Sequence, residues 1–145
     1  MTSYNELNEE IHRILELTTI LEYLFKDRAM CDTSTCGDLL GEYIALVNLH
    51  IDYVEKNFYS DLLNNPDKNA TNIANNFMSG SVEIKRIIKD FTKQWCANKY
   101  CSSLNIKDYS RFLVDSETFF DLILHRIRDE TEHLYPVVRS LKIAS

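Results

Sequence analysis

A carboxylate and a guanidinium stand four residues apart in the longest helical pattern of this 145-residue sequence. Glu130 falls on the apolar stripe of that pattern, three residues after Ile127 and four before Leu134, and Arg126 lies at the edge of the stripe. A buried carboxylate must be paired, protonated or bound to a metal, because burying it alone costs several kcal/mol. The partner of Glu130 is therefore the first question about function.

Four cysteines form two Cys-x4-Cys pairs, Cys31 with Cys36 and Cys96 with Cys101. Three interpretations are open. Four thiolates together could bind zinc or another soft metal, although this spacing is at the long edge of the zinc range. The thiols could form disulfides reversibly as a redox switch, or the cysteines could simply be small apolar residues near helix ends.

A basic row at i, i+4 spacing is formed by Lys85, Lys89 and Lys93, and Arg86 joins it. On a chain with a net charge of −6 this row is either a docking face for an acidic partner protein or a solvated helix face. The same net charge argues against nucleic acid as the main partner. No Ser-His-Asp or Cys-His arrangement and no glycine-rich phosphate loop can be assembled, so we expect no enzyme.

These residues must be positioned by helices, because apolar residues recur at steps of three and four in four long patterns. The patterns cover about residues 4–30, 35–64, 69–98 and 105–141. Thr35 with Asp38, and Asn105 with Asp108, are predicted to cap the second and fourth helices. Pro136 is expected to kink the last helix or to tighten its last turns. Short breaks between long helices predict one all-α domain over residues 1–145, an up-down-up-down antiparallel four-helix bundle.

This topology brings distant polar residues to a similar height, about mid-bundle: His12, His50, Glu55, Ser81, Arg126 and Glu130. One hypothesis is a metal or small-ligand site made from the histidines and glutamates. The other is a buried network in which Arg126 pairs both glutamates, while the histidines donate to the backbone or to Ser81. Tyr59 and Tyr135 are expected to pack with their hydroxyls outward. The same topology predicts that both cysteine pairs lie at one tip, at least about 25 Å from the His12/His50 layer.

The polar layer also follows a known arrangement of ligands. His12 fits a helix 1 histidine. His50 fits the first residue of a helix 2 His-x3-Glu motif, in which Val54 stands at the Glu position and Glu55 comes one residue late. On helix 4 the sequence Leu134-Tyr135-Pro136 matches the end of a second such motif, which places Arg126 at its His and Glu130 at its Glu. With these motifs the chain resembles the hemerythrin-like (HHE-type) four-helix bundles over nearly its whole length.

The resemblance implies a central di-iron site, but Val54, Ser81 and Arg126 replace three ligands of that family. It therefore favours a sensor or regulatory binding protein with an altered, non-di-iron centre. One alternative is an iron-binding, oxygen-linked protein with unusual ligands. The spacing of His50 with Glu55 and of Arg126 with Glu130 also resembles the bacterial anti-sigma-70 (Rsd-type) bundles, which implies a regulator that sequesters a transcription factor.

The sequence shows no stretch of about 18 apolar residues and no basic region followed by an apolar run at its N-terminus. We therefore expect a cytoplasmic protein with no membrane partner. Iron in the central layer and zinc at the cysteine tip are the two cofactors to consider.

Overall fold

Helices make up all regular secondary structure in the computed structural model, which describes the backbone of residues 4–144 and the side chains of residues 5–141. The helices are α1 (Tyr4–Phe25), α2 (Arg28–Cys31), α3 (Ser34–Val54), α4 (Ser60–Leu63), α5 (Lys68–Trp95), α6 (Tyr109–Asp129) and α7 (Tyr135–Ala144). A π-helical turn, Glu55–Tyr59, joins α3 to α4, and a second one, Glu130–Leu134, joins α6 to α7. Four long helical segments result, α1, α3–α4, α5 and α6–α7, and the all-α prediction is confirmed.

Short polar side chains decide where the helices begin. Thr33 caps α3 by accepting a hydrogen bond from the Cys36 amide at 3.2 Å, so the predicted Thr35 cap is wrong by two residues. Asp67 caps α5 by accepting from the Asn69 amide at 3.0 Å. Asp108 caps α6 by accepting from the Arg111 amide at 3.1 Å, so the predicted Asn105 cap is wrong by three residues.

The first and third helices end earlier than the apolar pattern predicts. Helix α1 ends at Phe25, because the Asp27 carboxylate accepts from the Ala29 amide and begins the separate short helix α2. Helix α5 ends at Trp95, because Cys96 adopts extended backbone angles (φ −103°, ψ 142°). An apolar pattern continues through both breaks because the residues beyond them still pack on the core.

The helical segments pack side by side as a bundle. Segment α1 contacts α3 and α6, and α5 contacts α6 and the α3–α4 segment. The Phe112 ring, near the start of α6, lies 4.8 Å from the Phe25 ring at the end of α1 and 5.3 Å from Trp95 at the end of α5. The first and third connections of the chain therefore meet at one end of the molecule.

The core has a larger and a smaller part. The larger one holds stacked and edge-on rings at the end just described, such as Phe91 on Phe119, with centroids 4.1 Å apart. The smaller one lies around the two π-helical turns and α4, and it includes Leu7, Leu62 and Leu134. No helix within residues 4–144 is long and apolar enough to cross a membrane.

The second π-helical turn lies directly before Pro136, where the sequence predicts a kink or tightened turns. In this turn the Tyr135 amide donates to the Glu130 carbonyl, five residues back instead of the usual four. Pro136 follows directly and has no amide hydrogen to offer, so the widened turn and the proline occupy adjacent positions. Because π-helical turns are frequent at functional sites, the residues around both turns are candidates for a functional site.

Candidate functional site

Glu130 is the buried charge at the centre of the site, with 1% of its surface exposed. Its Oε2 accepts a hydrogen bond from Arg126 Nε at 3.1 Å. Its Oε1 lies 2.6 Å from His50 Nε2 and accepts from the Tyr135 hydroxyl at 3.3 Å. Both carboxylate oxygens are therefore satisfied by side chains of α3, α6 and the first residue of α7.

Arg126 extends the network to α5 and to the first π-helical turn. The two hydrogens of its Nη2 are shared among three acceptors: the Tyr59 hydroxyl at 2.7 Å, Ser81 Oγ at 2.8 Å and the Phe77 carbonyl at 2.9 Å. The guanidinium also stacks over the Phe77 ring, 4.8 Å from its centroid. Only 11% of the Arg126 side chain is exposed, so one planar cation links three parts of the bundle.

A glycine makes room for this guanidinium. A β-carbon built on Gly80 of α5 would lie 2.5 Å from Arg126 Nη1. Any side chain at that position would press on a group held by four hydrogen bonds. Gly80 therefore belongs to the site although it has no side chain, because its small size leaves the space that the guanidinium fills.

The two tyrosines point inward, so the prediction of outward hydroxyls is wrong. Tyr59 and Tyr135 are both 3% exposed, and their hydroxyls join Arg126 and Glu130 respectively. Burial raises the pKa of both phenols, and the nearby Glu130 charge raises that of Tyr135 further. Both hydroxyls therefore remain hydrogen-bond donors at neutral pH.

His50 is 2% exposed, and its Nδ1 is buried with no hydrogen-bond partner among the described residues. This geometry fits the tautomer in which Nε2 carries the hydrogen and donates to Glu130, because an Nδ1–H would be a buried donor without an acceptor. The positive charge beside Glu130 is then that of Arg126.

Two of the predicted layer residues lie elsewhere. His12 is exposed on α1, whose buried face carries Leu7, Ile14 and Leu17 instead. The Glu55 side chain is 31% exposed and accepts from Lys85 Nζ at 2.7 Å, so Arg126 pairs with one glutamate and not with both. Ser81 is inside the site, as predicted, and it lies 2.8 Å from the Tyr59 hydroxyl.

The residues present do not fit the di-iron centre that the hemerythrin-like resemblance implies. Within the described part of the chain, no group of three or more His, Cys, Asp or Glu side chains is placed to hold a metal ion. His50 and Glu130 are two such donors, but a guanidinium, an arginine group that cannot give up its proton, occupies the other side of the carboxylate. Chemically, the arrangement holds a buried negative charge in a fixed geometry.

The cysteines form two local pairs. Cys96 and Cys101 are joined in a disulfide, whereas Cys31 and Cys36 are buried thiols. Burial raises the pKa of Cys31 and raises that of Cys36 to about 12, with a further contribution from the neighbouring Cys31. The four sulfurs are therefore not gathered in one cluster, because two of them are bonded to each other and the other two form a separate buried pair.

The basic row divides into paired and unpaired cations. Lys85 contacts Glu55 and, at 3.5 Å, Asp52. Arg86 forms ion pairs with Glu83 and Asp90 on its own helix. Lys89 and Lys93 take part in none of the ion pairs between described residues, and they line a cleft beside α3.

Tyr59, Tyr135 and Gly80 are the members of the site that sequence reasoning missed. A signal in the sequence was available only for Tyr135, which follows Glu130 by five residues and lies within about one helical turn of it. Compared with protein-family models, with curated proteins and with solved structures, the chain matches none.

Proposed function

We propose that this protein is a regulatory binding protein built on a hemerythrin-like, up-down-up-down four-helix bundle. In this proposal a permanent cation, Arg126, takes the electrostatic role that a metal has in that family. The observation that carries the proposal is the contact between the Arg126 guanidinium and Glu130, with Tyr59 and Ser81 as its further acceptors.

The position of the network supports the hemerythrin-like part of the proposal. His50 and Glu130 contact each other at 2.6 Å, and they stand where the resemblance puts a ligand of helix 2 and a ligand of helix 4. Ser81 and Arg126 stand at two other ligand positions and also contact each other, at 2.8 Å. Four of the expected ligand positions thus lie in contact, which supports the hemerythrin-like arrangement in this proposal, while their side chains form a charge network.

The network favours binding over catalysis as the mode of action. A carboxylate held by arginine, histidine and tyrosine is fully hydrogen-bonded, and a substrate would have to break these contacts to reach it. The buried network instead fixes how the helices pack, and the outer surface is left to contact a partner. We place this activity in the cytoplasm, with the cysteines as the redox-responsive part of the molecule.

Restoring the ligand set tests the central claim. The wild-type protein, loaded with ferrous iron under reducing conditions and then desalted, should retain no stoichiometric metal by elemental analysis. The combined variant Val54→Glu, Ser81→His and Arg126→His should gain iron or cobalt binding, because three replaced donors return to a site that already has His50 and Glu130.

Two irons per wild-type chain would overturn the proposal, since the arginine would then have to leave the site. A correctly folded triple variant that binds no metal would count against the hemerythrin-like geometry. The matched control replaces an exposed arginine two residues away, Arg128→His, and should not change metal content.

A further inference from the structure

A cleft lies between α3 and the last turns of α5, with a volume of about 480 Å³. Its apolar lining includes Ile44 of α3 and Ile88 of α5, which are 7% and 3% exposed and form part of the core. Its polar lining consists of Asn48, Thr92, Lys85, Lys89, Lys93, Asn98 and Lys99. The cleft therefore combines an apolar floor with a strongly basic rim.

The positive charge of this rim is only partly neutralised within the protein. Lys85 is paired with Glu55, but Lys89 and Lys93 have no acidic partner among the ion pairs of the described residues. Two unpaired lysines one helical turn apart are notable on a chain with 22 acidic and 16 basic residues. Like charges at i, i+4 spacing repel each other, so an acidic ligand between them gives a favourable interaction.

The loop after α5 gives the cleft a fixed wall. The Cys96–Cys101 disulfide closes this loop, and the Asn98 side chain holds its turn by accepting from the amides of Tyr100 and Ser102. The same loop carries Lys99 to the cleft, where its ammonium stacks 4.9 Å from the Tyr100 ring centroid.

Two glycines of α3 let this loop pack directly on the helix. A β-carbon on Gly37 would lie 2.8 Å from the Ser103 Cα, and one on Gly41 would collide with the Tyr100 carbonyl. The disulfide within the loop and the backbone contact with α3 therefore hold this wall in place. Its position does not depend on a ligand, which reduces the entropy lost when one binds.

We propose that this cleft docks an acidic peptide segment of a partner protein, with a carboxylate between Lys89 and Lys93 and an apolar side chain over Ile44 and Ile88. The inference rests on the proposed binding function and names the surface and the chemistry of the partner. The rise between Lys89 and Lys93 is about 6 Å, which matches carboxylates on successive turns of a helix or on alternate residues of a strand.

An unbiased peptide selection tests this assignment. Folded wild-type protein, with its disulfide intact, is used to select from a displayed library of random dodecapeptides. The selected sequences should be enriched in Asp and Glu interspersed with apolar residues. The affinity of the best peptide is then measured by fluorescence anisotropy against the wild type and three charge-reversal variants.

Lys89→Glu and Lys93→Glu should each weaken binding by at least about tenfold, because each replaces an attraction by a repulsion. Lys68→Glu is the matched control: it makes the same charge change at an exposed lysine on the same helix, about 30 Å away. It should leave the affinity nearly unchanged. Circular dichroism and thermal unfolding of all three variants should match the wild type, since exposed charges contribute little to stability.

Equal losses in all three variants would show that attraction to the whole protein, and not this cleft, drives binding. The inference would be overturned if the selection gave neutral peptides, basic peptides or none. It would also be overturned if citrate displaced a selected peptide at equal concentration, because the cleft would then be a site for small anions. A failed selection together with a metal-free protein would remove only this docking site and would leave the proposed function in place.

Discussion

Replacing Arg126 by methionine tests the central network most directly. Methionine keeps much of the length and apolar volume of the arginine stem, so the change removes mainly the guanidinium and its contacts. Glu130, which is 1% exposed, then loses the hydrogen bond at 3.1 Å that supplies its positive partner. The hydroxyls of Tyr59 and Ser81 also lose their donor.

The expected loss of unfolding free energy is about 3–5 kcal/mol, the usual cost of removing one partner from a buried ion pair. Stranding the carboxylate accounts for most of it, because His50 and Tyr135 still donate to Glu130 but bring no permanent charge. A native domain has roughly 5–15 kcal/mol of stability in total, so the variant should unfold at a much lower denaturant concentration.

The assay is urea unfolding followed by circular dichroism, with the slope of the transition checked for unchanged two-state behaviour. Arg128→Met is the control, because Arg128 is exposed two residues away, and it should change stability by less than about 0.5 kcal/mol. Repeating Arg126→Met in a Glu130→Gln background should cost clearly less, since no buried charge is then stranded. A loss below about 1 kcal/mol in the wild-type background would refute the claim that Arg126 neutralises Glu130.

Close contacts and buried thiols give four further predictions. Replacing a glycine by alanine inside a helix usually stabilises it by roughly 1 kcal/mol. Gly80→Ala should lack this gain in the wild type, because the new methyl group meets the Arg126 guanidinium, but should show it in the Arg126→Met variant. Equal effects in both backgrounds, measured by urea unfolding, would contradict this contact. Gly41→Ala should destabilise the protein by about 1–3 kcal/mol, because its methyl would collide with the Tyr100 carbonyl of the disulfide loop, and an unchanged thermal transition would show that the loop is free to shift. Native Cys36 should be alkylated by iodoacetamide at least about tenfold more slowly than in urea-unfolded protein near neutral pH, because its thiol is buried and burial raises its pKa from 9.0 to about 12, and mass spectrometry of timed samples gives the rates. The unfolded thiol ionises at lower pH than the folded one, so the same shift makes stability fall as pH rises from about 9 towards 12, and a flat stability profile there would contradict it.

Helices and their buried faces could be predicted from the sequence because both are local properties. Apolar residues at steps of three and four define a face, and they also give the four long patterns and their approximate extents. The i, i+4 relation likewise places Arg126 and Glu130 within reach of each other on any helix, and the structure gives 3.1 Å between them. The exact caps were harder to predict, because Thr33 and Thr35 are both suitable and only the path of the chain selects one.

Tertiary structure alone decided which polar residues enter the site. His12 and Glu55 have suitable side chains and suitable heights, but the rotation of each helix about its axis directs them to solvent or to Lys85. A rotation of about 100° per residue means that a shift of one position changes buried to exposed.

The two π-helical turns also changed which side chains enter the site. Both turns are π-helical, with backbone hydrogen bonds that span five residues instead of four, so the chain after each turn is rotated relative to an uninterrupted α-helix. Periodicity counted along the sequence assumes a constant turn, and for that reason it gave the wrong direction for the hydroxyls of Tyr59 and Tyr135. The sequence by itself determined that a buried carboxylate needs a partner and that Arg126 is within its reach, whereas the widened turns and the packing of the helical segments determined that His50 and Tyr135 join them.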